Sequence, residues 1–105
     1  VSDKELLELA AKAHGSLHYE DGLGLWIVIE SDGGRGKWWN PLADDGDALR
    51  LAVKLELLVD AFHDRAIDSK RHGVGHRDWI YGENVRDAIV RCAAEIGRQM
   101  QECNP

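Results

Sequence analysis

The run from Trp38 to Leu55, WWNPLADDGDALRLAVKL, constrains the fold more than any other stretch, because it spells a strand end, a turn and a helix start in order. The ring of Pro41 clashes with the residue before it and pushes Asn40 into extended space. Pro41 also has no amide hydrogen to give to a ladder, so the strand is expected to stop at Trp39 or Asn40. Asp44, Asp45 and Asp47 then surround Gly46, just ahead of Ala48, Leu51, Ala52 and Leu55, with Leu49 and Val53 on an adjoining stripe. Short carboxylates at that place accept from the unpaired amides of a first helical turn and complement its positive end. Asp44 and Asp47 have the spacing of a capping box, although aspartate reaches less far than the usual Glu or Gln.

A divalent cation is the rival explanation for these aspartates. A calcium loop of the EF-hand kind needs oxygen ligands at alternating positions and a distal glutamate, and the run after Asp45 fails beyond its second ligand. The capping explanation is preferred. Trp38 and Trp39 are adjacent, so on a strand they point to opposite faces. One belongs to the core, and the other is the best candidate anchor for a partner, since aromatic side chains dominate interface energetics.

Ser2 with Glu5 forms a capping box for an amphipathic helix over 3–14, and Gly15 stands where a left-handed C-terminal residue belongs. Two strands, 17–20 and 23–30, follow around Asp21-Gly22, a strong hairpin signal. LGLWIVIE is nearly continuous in apolar residues and reads as a central strand. The turn over 31–36 leads to a strand over 37–40. Its GGRG lacks the Lys-Ser/Thr of a phosphate loop and opens no helix. Beyond the central helix, 57–63 is assigned to a strand, since prolonging the helix would make it unusually long. Residues 65–71 are expected to pair back as a weak edge strand with Ile67 inward. Trp79, Ile80 and Tyr81 read as a docking segment before the last helix. Asn84 caps that helix, with Asp87 at its third position. Val85, Ala88, Ile89, Cys92, Ala93, Ile96 and Met100 repeat at helical spacing, and Glu95 is spaced to pair with Arg91 or Arg98.

These elements predict one α+β domain, an antiparallel sheet of four to five strands with three helices, in the order α-β-β-β-α-β(-β)-α. The expected core is Leu6, Leu9, Trp26, Val28, Leu51, Leu55, Val59, Ile89, Cys92 and Ile96. A chain of 105 residues has room for one such core.

The formal charge of −6 argues against general binding to a phosphate backbone and favours a basic partner surface. No apolar run approaches the roughly 20 residues of a membrane span. The polar, acidic start Val1-Ser2-Asp3-Lys4-Glu5 does not read as a signal peptide. Cys92 and Cys103, eleven residues apart on one helix, are out of disulfide reach and read as reduced thiols of a cytoplasmic protein. Among the five histidines, His14 sits at a helix C-terminus, where a positive charge is favoured. No HExxH, GxSxG, CxxC or Walker pattern is present, so no catalytic residue, metal ligand or cofactor is assigned. The segment KRHGVGHR brings Lys70, Arg71, His72, His76 and Arg77 together in an otherwise acidic chain. Its glycines argue for a mobile loop and against a helical histidine pair holding zinc or nickel. That loop motivates an alternative function, a nucleic-acid or regulator module. A metal-dependent enzyme built from His72, His76 and the aspartates at 44–47 is a further alternative.

The run Trp39-Asn40-Pro41-Leu42, then Asp44-Asp45-Gly46-Asp47-Ala48-Leu49-Arg50-Leu51, resembles small bacteriophage and prophage proteins of the α-β-α sandwich type. The opening KELLELAAKAHG and closing DAIVRCAAEIG are similar to the terminal helices of that group. The resemblance implies a phage-encoded accessory protein that acts in the bacterial cytoplasm by binding a host protein, such as a defence complex. It carries over no catalytic residue. Trp38, Trp39, Lys70, Arg71, His72, His76, Arg77 and Trp79 are the interaction candidates; Ser2, Asp44, Asp47 and Asn84 are assigned as helix caps. A homodimer is an open alternative.

Overall fold

The computed structural model describes residues 2–15, 17–21, 24–29, 35–68 and 79–103, with side chains over 2–15, 38–68 and 79–100. The order is α1 (Asp3–His14), β1 (Leu17–Asp21), β2 (Gly24–Ile29), β3 (Arg35–Trp39), α2 (Asp45–Leu55), β4 (Leu57–Asp60), β5 (Arg65–Asp68), β6 (Ile80–Tyr81) and α3 (Val85–Cys103). The protein is therefore α+β, with three helices and antiparallel strands.

Among the described residues the strands pair in two groups, β1-β2-β3 and β4-β5-β6, where the sequence pattern suggested one sheet of four to five strands. In the first group β2 lies between its neighbours, with Tyr19 opposite Trp26 and Trp26 opposite Trp38. Asp21 pairs with Gly24, and the expected turn at Asp21-Gly22 reaches into residues 22 and 23, which lie outside the described residues. In the second group β5 is the middle strand and not the edge strand expected of it, because Ile80–Tyr81 pairs along its far side. The docking segment before α3 is thus partly a strand.

Helix α1 starts at Ser2, whose hydroxyl accepts from the Glu5 amide. It stops at Gly15, whose φ of 82° lets its amide turn back to the carbonyls of Ala11 and Lys12. Helix α2 ends instead on Glu56, a non-glycine residue held at φ 56°. Leu6, Ala10 and Ala11 of α1, Trp39, Ala48 and Leu51 of α2, Ala66 of β5, and the α3 row Ile89, Val90, Cys92 and Ala93 form one buried cluster.

One residue of the expected core is corrected. Val59 is 40% exposed, because β4 is an outer strand and α3 packs chiefly on its neighbour β5. Met100 is exposed although its register is apolar, as are Leu49 and Val53 on the outer side of α2. Leu9 and Leu55 pack against the cluster from half-buried positions. Trp26 and Val28 have side chains outside the described residues.

Candidate functional site

The aspartates at 44–47 turn towards amides and guanidiniums. Asp44 is the N-cap of α2, its Oδ1 accepting from the amides of Gly46 at 2.7 Å and Asp47 at 3.3 Å. Asp47 is buried, and it does not close the capping box onto Asp44. Its Oδ2 accepts from the Asn40 amide at 3.0 Å and its Oδ1 from Arg50 Nη2 at 2.7 Å. The Asp44 amide donates to the Asn40 carbonyl instead, so the short aspartate side chain finds its backbone partner on the incoming strand end. Asp45 pairs with Arg86 of α3 at 2.6 Å, and Arg86 Nε also donates to the Leu42 carbonyl at 3.1 Å. This arginine ties α3 to the turn that launches α2.

The start of α3 uses the same device. Asn84 Oδ1 accepts from the Asp87 amide at 2.9 Å, while Asp87 Oδ2 reaches back to the Glu83 amide at 2.9 Å and pairs with Arg91 Nε at 2.9 Å. Arg91 therefore pairs with Asp87, whereas Glu95 pairs with Arg98. Both buried aspartates accept a backbone amide from before their own helix, which locks the entry of the chain into the helix.

Trp39 is 3% exposed and meets the His14 ring edge-on at 6.1 Å between centroids. Trp38, on the opposite face of β3, is 47% exposed. The cluster Lys70, Arg71, His72, His76 and Arg77 lies outside the described residues. Trp79, where description resumes, is half-buried beneath Arg65, whose guanidinium carbon sits 4.3 Å from the ring centroid.

That contact belongs to a network the sequence pattern did not single out. Asp60, the last residue of β4, accepts from the amides of Phe62 and His63 at 3.1 and 3.2 Å. Its Oδ2 also meets His63 Nδ1 at 2.7 Å and Arg65 Nε at 2.9 Å. Arg65 in turn reaches the Tyr81 hydroxyl at 3.2 Å, from the strand beside it. The His63 contact, with Arg65 helping, holds the Asp60 carboxyl down at about 2 against an ordinary value of 3.8. Arg65 is raised, first by Tyr81 and then by Asp60. The legible signal was an aspartate at a strand end followed by His at the third and Arg at the fifth position. An aspartate there bonds the amides ahead of it in a turn, and the extended chain brings the Arg back alongside.

Phe62 caps this turn at 88% exposure, with its ring edge-on to His63 at 4.8 Å. Exposed, with few contacts of its own, it contributes little to the core. Burial pushes the Cys92 thiol up to about 12, so it is a core side chain and not a nucleophile at neutral pH. Among the described residues no three of His, Cys, Asp and Glu are arranged to hold a metal ion, and no helix is long and apolar enough to cross a membrane. The chain matches no known family model, and no curated protein or solved structure is significantly similar to it.

Proposed function

We propose that this chain is a non-enzymatic binding protein that docks on another protein. The supporting observation is the amount of large apolar side chain left in water. Trp38, Val53, Leu58, Phe62 and Tyr81 are all exposed, on β3, α2 and the β4–β5–β6 group. Single exposed apolar residues are ordinary, but aromatic residues standing clear of the core are the side chains that anchor interfaces. The ordered polar clusters at 40–50 and 83–91 are occupied in fixing helix starts, which leaves recognition to the surface.

The likeness of the central run to small phage proteins supports a phage accessory protein working in the host cytoplasm, with a host protein as its target. The charge of −6 supports a target with a basic surface, of the kind a defence or regulatory complex uses to hold nucleic acid. Affinity capture with the intact chain from host lysate at physiological salt is expected to retain one protein or complex, reproducibly and in competition with untagged chain. Retention of nothing would refute the proposal.

A further inference from the structure

The turn between β4 and β5 presents an aromatic finger with a charged collar, and we infer that it is the docking element, seating Phe62 in an apolar pocket of a partner protein whose rim is basic. This inference rests on the protein-binding function proposed above and names the element and the partner chemistry. The finger is stiffened from below: Asp60 bonds two amides of the turn, the His63 ring and Arg65, while Arg65 stacks on Trp79 and bonds Tyr81. A side chain displayed on a rigid turn loses little further freedom on binding, which is what makes an exposed aromatic an effective anchor.

The charges around the finger select the partner. Asp60 and Asp64 flank Phe62 in the chain, and Arg65, paired with Asp60, is the one Lys or Arg between 60 and 65. Asp64 has no ion pair among the described residues. With His63 neutral, two carboxylates against one guanidinium leave the turn over 60–65 a net charge of −1 beside a bare phenyl ring and the exposed Tyr81. A second copy meeting this one turn to turn would bring acidic collar against acidic collar. A pocket rimmed by Lys or Arg complements both features.

The test places a photo-activated benzoylphenylalanine at position 62 of the intact chain, and separately at the exposed positions 38 and 49, in host lysate. The expected result is cross-linking from 62 to one protein, at a peptide in which apolar residues are flanked by Lys or Arg. With that protein purified, Phe62→Ala is expected to weaken binding roughly thirtyfold, the scale of an interface hot spot. Because Phe62 is so exposed, the variant should keep the wild-type circular dichroism. Asp64→Asn should slow association and flatten its salt dependence; asparagine tolerates the φ of 50° at position 64. Cross-linking from 38 or 49 alone would overturn the inference while leaving a binding function standing. So would a cross-link to a second copy, or a partner peptide without basic residues, or unchanged binding in either variant. Failure of all three positions together with failed affinity capture would sink both.

Discussion

Gly97 of α3 lies directly against the backbone of Leu9 in α1, so close that a Cβ at position 97 would come within 2.0 Å of the Leu9 carbonyl oxygen. The two helices pack on each other, and both bury small residues in the shared core, Ala10 and Ala11 on α1 and Ala93 and Ala94 on α3. In an isolated helix Gly→Ala stabilises by about 1 kcal/mol. Here the clash is with rigid backbone and must part the helices, so the sign reverses. Gly97→Ala is expected to destabilise by about 1–3 kcal/mol, the range of an overpacked core. Urea denaturation of the purified variant measures it, and equal or greater stability would show that the helices separate freely.

The Asp44 and Asp47 carboxylates and the Arg50 guanidinium at the start of α2 differ in what their loss leaves behind. Asp44→Ala removes a cap that water replaces in part, at a cost of about 1 kcal/mol. Asp47→Ala strands the Asn40 amide at a part-buried position and is expected to cost about 1–3 kcal/mol. Arg50→Ala should cost under about 1 kcal/mol, since the arginine side chain is more than half exposed. The order Asp47, then Asp44, then Arg50, in denaturation midpoints, distinguishes a backbone-anchoring role from a simple ion pair.

Asp60 is held at about 2 in the folded chain, below its ordinary value of 3.8. A folded value below the unfolded one means that this carboxylate's stabilisation is fully present above about pH 4. It is lost as pH falls from there towards 2. His63→Ala removes the largest cause, so the Asp60 titration midpoint should rise towards 3.8, read by carboxyl-carbon NMR. An unmoved midpoint would mean that Arg65 and the turn amides hold the carboxylate alone.

Cys92 should resist thiol reagents. In a Cys103→Ser background at pH 8, reaction with a chromogenic disulfide is expected to be negligible in the native state and complete in denaturant. Fast native labelling would show that α3 opens locally from the core.

Much of the local structure could be read from short stretches of chain. Pro41 ends β3 by removing a donor, Asp44 starts α2 by supplying an acceptor, and Gly15 ends α1 by adopting a φ closed to most residues. Each depends on atoms a few residues apart, so sequence spacing carries the information. The choice of strand over helix for 57–60 was legible for a similar reason, since α2 had already run its length by Leu55.

Tertiary structure decided the rest. Alternation determined that Trp38 and Trp39 face opposite ways, but membership of the shared core, with the His14 ring edge-on to it, settled that Trp39 is the buried one. An apolar register equally good at Val59 and Ile67 buried only Ile67, because α3 covers β5 and leaves β4 at the margin. Asp47 passed over the partner its spacing suggested and took the Asn40 amide, which the strand end happens to present. Arg65 found Trp79 and Tyr81 only because β6 returns beside β5. Spacing along the chain specifies contacts within a turn or two. Contacts between distant segments depend on which faces the helices cover, and that is a property of the assembled layers.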